Sequence, residues 1–321
     1  MKKFMKGCAI AALIFLALGI GLAVAAGTVR GRATITKVVE TVTGGRVSLN
    51  FDGLFSWGMQ VRDDLTDSLP ELDYDIDDAT SFNSSYEVYT GDVEKTCLGS
   101  SVENLKIEAG GCLFNVQFSG DDSFYVEASD CGKFQAYLEN GTLYIRTTTS
   151  SRSWSKLTSS KVKLYVPEGC HFQEADIDLG AGEMEFEALN AERILLGVGA
   201  GRISANGLQA ETLKMEIGAG QIDMKDINAT EIEAEVGMGN LLVSGSIAGD
   251  VDVSCAMGNV EMELAGSQQD FNYQLTGAMG NIDLGAESYS GLGMSKHFDN
   301  GASKNIKVEC SAGNITIRFT N

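Results

Sequence analysis

Residues 218–236 read GAGQIDMKDINATEIEAEV. Apolar or small side chains fall at Ile222, Met224, Ile227, Ala229, Ile232, Ala234 and Val236, with mostly Asp, Glu, Lys, Asn and Thr between them. This is the period of two that a strand with one buried face needs. A helix would need apolar residues every three to four positions and would be weakened by the glycines. The preceding unit repeats the pattern at Ile203, Ala205, Leu208, Ala210, Leu213, Met215 and Ile217.

The opening tripeptide is the clearest repeat. Gly-Ala-Gly stands at 180–182, 199–201 and 218–220, followed by Gly237-Met238-Gly239, Ala256-Met257-Gly258, Ala278-Met279-Gly280 and Ser311-Ala312-Gly313. The closing glycines are Gly182, Gly201, Gly220, Gly239, Gly258, Gly280 and Gly313, separated by 19, 19, 19, 19, 22 and 33 residues. A fixed period of this size marks stacked units, each unable to bury its own apolar face. The spacing therefore predicts an all-β chain, a parallel β-helix or β-solenoid with 19-residue coils. Each coil climbs about 4.8 Å, so seven corners span about 30 Å. Glycine is expected at the corners because it reaches positive φ without a steric penalty. The two longer steps are expected to hold surface loops inserted between coils, such as Ser288 to Ser303.

The residues after the corner glycines are Glu183, Arg202, Gln221, Asn240, Asn259, Asn281 and Asn314. The four asparagines, stacked in register, are expected to form a hydrogen-bonded amide ladder along one edge, with a structural role ahead of a binding one.

Upstream, Leu105–Ala109, Phe114–Phe118, Leu143–Ile145 and Val162–Val166 alternate as strands, and Thr147 to Ser160 reads as a polar loop. Residues 28–100 lack a period and are assigned to a juxtamembrane linker. Its cluster Phe51, Leu54, Phe55, Trp57 and Met59 could rest in a membrane interface or pack locally. Lys2, Lys3 and Lys6 precede a run from Cys8 to Gly27 without a charge, long enough for one bilayer span. Ala23-Val24-Ala25 offers a signal-cleavage site, but the length of the run favours an uncleaved anchor. The organisation expected is thus an anchor or signal sequence at 1–27, a linker at 28–100 and a solenoid at 101–321. Residues 8–27 hold the membrane in a single pass, with the bulk of the chain extracytoplasmic.

Composition narrows the chemistry. The net charge of −20 argues against nucleic acid as a partner. Of seven cysteines, six lie outside the apolar run, with no C-x-x-C, and only two histidines are present, so no metal site is expected. The six admit disulfides, although free buried thiols are the simpler reading. No phosphate-binding loop follows the glycines and no cofactor is expected. Lys296, His297 and Asp299 form the one candidate catalytic cluster. The acids Asp223, Asp226, Glu231, Glu233 and Glu235 are spread along the coils as a solvated face would spread them.

The run Leu105-Lys106-Ile107-Glu108-Ala109-Gly110, then Asn140-Gly141-Thr142-Leu143-Tyr144-Ile145, then Val162 to Gly169 (VKLYVPEG), then the Gly-Ala-Gly repeats, resembles a bacterial domain family of unknown function provisionally called adhesins. The resemblance covers roughly residues 100–321. It implies a right-handed β-helix behind a single membrane segment, with links in some relatives to envelope stress, and it carries no catalytic or ligand residues.

The function expected is non-catalytic: binding, adhesion, or envelope scaffolding and stress sensing, with an envelope protein or a glycan as partner. The alternatives are a glycan-active enzyme on the same fold and a self-assembling structural protein. For self-assembly the contacts would be the residues before Leu105 and the last strand, Asn314 to Phe319.

Overall fold

Alternation becomes geometry in the strands of the central coils. Along Gln221–Val236 the buried side chains are Ile222, Met224, Ile227, Ala229, Ile232, Ala234 and Val236, the apolar set of the repeat. The computed structural model describes residues 82–148, 160–290 and 292–320. The anchor at 1–27, the linker up to residue 81 and residues 149–159 of the polar loop lie outside the described residues. No helix among the described residues is long and apolar enough to cross a membrane.

The described residues are all-β. The N-terminal strands are β1 (Tyr89–Gly99), β2 (Asn104–Phe118), β3 (Phe124–Glu139), β4 (Thr142–Thr148) and β5 (Lys161–Val166). The central coils comprise β6 (Phe172–Phe186), β7 (Leu189–Val198), β8 (Arg202–Asn206), β9 (Leu208–Ile217), β10 (Gln221–Val236), β11 (Asn240–Ile247), β12 (Val251–Cys255) and β13 (Asn259–Ala265). The last group is β14 (Phe271–Gly277), β15 (Asn281–Leu284), β16 (Glu287–Ser290), β17 (Met294–Phe298), β18 (Lys304–Cys310) and β19 (Asn314–Thr320). Strand β1 begins ahead of residue 101, inside the segment read from sequence as linker.

The coils wind as the 19-residue period requires. After each corner, residues pair in parallel with those nineteen positions on: Arg202 with Gln221, Gln221 with Asn240, Asn240 with Asn259; past the second bend of β10 the step to β11 is eighteen, Ile227 with Gly245. Each coil presents two faces. The first follows the Gly-x-Gly corner and runs through β8, the start of β10, β11 and β13. The second precedes the next corner and runs through β7, β9, the end of β10 and β12. Inside, one column reads Ile107, Ile177, Leu196, Met215, Ala234, Val253, Val308 and Leu275, each at most 2% exposed. Burying one such aliphatic side chain contributes about 1.5–3 kcal/mol, so the stack of rungs is the main source of stability.

Several expectations need correction. The positive φ expected at the Gly-x-Gly corners belongs instead to the second bend, between the two faces. Gly207, Asp226 and Gly245, nineteen residues apart, have φ of 76°, 52° and 150°. Among the closing corner glycines only Gly182 has positive φ, at 95°.

The stack is also not wholly parallel and not in sequence order. At the N-terminal end β2 lies directly on β6, β4 and β5 lie outside β2, and β3 then β1 follow as antiparallel outer strands. At the C-terminal end β13 pairs with β19, and β19 pairs with β15. On the other face β12 pairs with β18, and β18 with β14. The rung made of β18 and β19 is thus inserted between two rungs that precede it in sequence. The segment expected as a loop, Ser288 to Ser303, instead supplies much of two antiparallel strands, β16 on β15 and β17 on β14. The strand Asn314 to Phe319, expected at an end of the column, lies inside it, covered by β15 and then β16.

Candidate functional site

The corner column explains its own glycines. At Gly201 a Cβ would sit 2.7 Å from the Gly182 carbonyl oxygen, and at Gly220, Gly239, Gly258 and Gly313 the preceding carbonyl would be nearer still. Those carbonyls accept from the next rung: Asn240 N–H to Gly220 O at 3.0 Å, Asn259 N–H to Gly239 O at 3.0 Å, Asn314 N–H to Gly258 O at 3.1 Å. Close approach of backbone to backbone excludes any side chain there. Gly280, at the end of the stack, lies against Gly313 in the same way. These glycines are structural, and they leave no cradle for a ligand.

Beside them Asn259 Nδ2 donates to Asn240 Oδ1 at 3.1 Å, and Asn314 Nδ2 donates to Asn259 Oδ1 at 3.1 Å. Asn281, placed between Asn259 and Asn314 by sequence, lies beyond Asn314. Its Oδ1 accepts from Ser288 Oγ at 3.2 Å. The ladder therefore runs 240, 259, 314, and Asn281 pairs with a serine instead.

The candidate catalytic trio does not converge. Lys296 and His297 are successive residues of β17, opposite Leu275 and Gln274, so their side chains leave opposite sides of the strand. The Asp299 carboxylate accepts from Gly301 N–H at 2.9 Å, closing a local turn.

A different set of residues does converge. On the outside of the second face a shallow polar groove of about 440 Å³ crosses five rungs, touching β4, β2, β6, β7 and β9. One end is Tyr144, with Thr142 beside it; Asn104 and Lys106 follow on β2, Glu174 and Asp176 on β6, Arg193 on β7 and Thr212 on β9. Each strand contributes outward residues at the same register: Tyr144, Lys106 and Asp176 form one row, and Glu174, Arg193 and Thr212 another.

The groove walls are held by ion pairs. Lys106 Nζ lies 2.6 Å from Asp176 and 3.8 Å from Glu108, and Arg193 lies 2.9 Å from Glu174. Burial works to lower the Lys106 pKa, but Asp176, by hydrogen bond and charge, with Glu108 and Asp178, outweighs it and raises the ammonium. Tyr144 stacks on Tyr137 at 4.9 Å, and Tyr137 on Tyr86 at 4.0 Å. Arg146 donates to Glu108 at 3.0 Å and to the Tyr137 hydroxyl at 3.0 Å, fixing the aromatic row from the side. Such a groove offers fixed donors, acceptors and one aromatic ring in an open trough, the chemistry of recognition by hydrogen bonds.

Next along the face, Glu108, Asp178, Gly197 and Glu216 share one register. The Asp178 carboxylate leans over Gly197, where a Cβ would collide with it. Burial, then the charge of Asp176, pushes its pKa up to about 6. Among the described residues no group of three or more His, Cys, Asp or Glu is arranged to hold a metal ion.

Sequence reasoning missed the groove because its residues come from segments near 104, 142, 174 and 193 that meet only after stacking. The usable signal was the charge alternation of the outward positions Lys106, Asp176 and Glu174.

Among solved structures, the chain is similar to a protein provisionally named an adhesin from Bacteroides fragilis NCTC 9343, at 13% identity, over 73% of this chain and 97% of that one, with a TM-score of 0.38. A protein provisionally named as lipid-binding from Parabacteroides distasonis ATCC 8503 is 15% identical over 74% and 98%, with a TM-score of 0.36. A protein provisionally named for cell adhesion from Clostridium sporogenes ATCC 15579 is 12% identical over 73% and 98%, with a TM-score of 0.32. No curated protein matches the sequence. The Toastrack DUF4097 family matches residues 155–318, just over half of the chain. The chain belongs to the Toastrack DUF4097 family.

Proposed function

We infer that this chain is a non-catalytic binding module of the bacterial cell envelope, carried on a membrane anchor at residues 8–27 and displayed outside the cytoplasm. The observation that supports it best is the five-rung polar groove, pre-organised by the Lys106–Asp176 and Arg193–Glu174 pairs and bounded by Tyr144. Long flat solenoid faces bind extended partners by complementarity along the stack. The partner is a glycan or another envelope protein that lies across the coils. The coils are read as right-handed, the strongly favoured hand for parallel crossovers.

The test has two parts. Protease treatment of intact cells should remove a tag placed after Asn321, and purified chain should retain cell-wall material or an envelope protein. Retention should drop in Arg193→Ala, whose ion pair is exposed. A protected tag would overturn the display, and retention unaltered by Arg193→Ala would overturn the groove.

A second reading, self-assembly, is favoured by one observation. Met279 and Leu292, 68% and 87% exposed, lie at the outer C-terminal end of the stack beside the edge strands β16 and β17. Sedimentation of the full chain across a concentration series separates the two readings, because a monomer throughout removes the second.

A further inference from the structure

Two buried thiols meet where the stack departs from sequence order. Cys255 ends β12 and Cys310 ends β18, and they are Cα partners on neighbouring parallel rungs. Both are 2% exposed. Their side chains leave the same side of the sheet, because an in-register parallel pair faces one way. Each sulfur lies under the corner glycine one rung on: a Cβ on Gly313 would lie 2.7 Å from Cys255 Sγ, and one on Gly280 would run into Cys310 Sγ, which itself donates to Gly313 O at 3.1 Å. The rung spacing of about 4.8 Å falls inside the Cα separation of about 4.4–6.8 Å that a disulfide spans. The Cβ atoms must close from about 4.8 Å to about 3.5–4.5 Å, so the rungs must pinch by about 0.3–1.3 Å at their ends, which the chain ends of β12 and β18 can supply before the stack is complete.

We propose that Cys255 and Cys310 are a disulfide-forming pair that closes as the rung of β18 and β19 inserts, covalently fastening that rung to β12. The oxidant is an external disulfide such as oxidised glutathione. One cysteine thiolate attacks it, forming a mixed disulfide and releasing one glutathione thiol. The second cysteine thiolate then displaces the other glutathione thiol. Two protein thiols become one Cys255–Cys310 bond, and one glutathione disulfide becomes two thiols, which take up the two protons.

Timing follows from burial. In the finished stack, burial foremost and then the neighbouring Cys310 push the Cys255 thiol up to about 11, and the sulfur is out of reach of a bulky oxidant. The reaction therefore belongs to the stage at which the rung is still outside. Cys97, the exposed thiol of the described set, is not part of the pair.

The experiment refolds the full chain, in detergent, from urea with oxidised glutathione, blocks remaining thiols by alkylation, and maps peptides by mass without reductant. The result expected is one linked species joining the Cys255 and Cys310 peptides, lost on adding dithiothreitol and absent from Cys310→Ser. Reduced chain that is already folded, given the same glutathione, should leave both residues free for alkylation after unfolding. Recovery of Cys255 and Cys310 as separate alkylated or glutathionylated peptides after oxidative refolding would overturn the proposal, and so would a linked species that pairs either with another cysteine.

Discussion

Replacing Gly239 by alanine separates two reasons for a corner glycine. In the structure Gly239 does not have positive φ, and a Cβ there would run into the Gly220 carbonyl oxygen and Ile217 Cγ2. Relief requires the rungs to part by about 1 Å, since heavy atoms below about 3 Å repel steeply. Three corner bonds cross this joint: Gly237 N–H to Ile217 O at 2.8 Å, Met238 N–H to Gly218 O at 2.8 Å and Asn240 N–H to Gly220 O at 3.0 Å. Weakening three bonds worth about 1 kcal/mol each gives a loss of about 3 kcal/mol, comparable to the cost of overpacking a core. The assay is urea unfolding of the full chain followed by circular dichroism in the strand region, read as the midpoint at unchanged slope. Gly239→Asn is the companion. Asparagine tolerates left-handed backbone, so it would be milder than alanine if φ were the constraint. The steric account expects it to be at least as damaging. An alanine variant within about 0.5 kcal/mol of the parent, or an asparagine variant milder than alanine, would refute the reasoning.

Other outcomes follow from the outward face. Asp178, raised from 3.8 to about 6, opposes folding when ionised. Because its folded pKa lies above its unfolded one, that opposition is complete above about pH 6 and relieved as pH falls toward 4. Stability should therefore rise on acidification through this window, and Asp178→Asn should flatten the rise in a series of thermal melts. Asn259→Ala removes one amide donor and one acceptor from the ladder, both solvent-exposed, and should cost about 1 kcal/mol by urea titration. Asn281→Ala, which loses only the Ser288 contact, should cost less. Arg193→Ala should leave stability within about 1 kcal/mol, since its ion pair is exposed, while weakening retention of envelope material in the pull-down.

Most of the central solenoid was legible in residues 183–265. There a residue's neighbours are those nineteen away, except after the second bend between β10 and β11, where Ile227 meets Gly245 and the step is eighteen. The ends were not legible for a physical reason. Ala278-Met279-Gly280-Asn281 and Ser311-Ala312-Gly313-Asn314 carry the same corner pattern, so either could dock on Asn259 by local chemistry alone. The choice between them rests on how β14, β17 and β18 pack together, which a repeat cannot encode. The corner glycines were found by their spacing, yet their cause was hidden, because backbone crowding appears only when rungs touch. The second bend at Gly207, Asp226 and Gly245 escaped notice because its members are not one residue type. The Lys296, His297 and Asp299 cluster failed because neighbours in sequence face apart once β17 is extended. The groove was invisible for the opposite reason: Tyr144, Lys106 and Asp176 are distant in sequence and adjacent only across strands.

The inserted rung has a consequence for how the chain is made. Synthesis is vectorial, and β14 and β15 leave the ribosome before β18 and β19. The free edge at Asn259 waits for Asn314, 55 residues later. At about 5–20 residues per second that is roughly 3–11 s. During this interval the earlier-made rung, with its matching Ala-Met-Gly-Asn corner, is the nearest competitor for the open edge. A nascent chain that accepts it must later release a stacked rung to admit the proper one. The C-terminal end of this solenoid thus cannot form by adding each new coil to the last: its final rung must enter between one already made and the edge that one would otherwise cover.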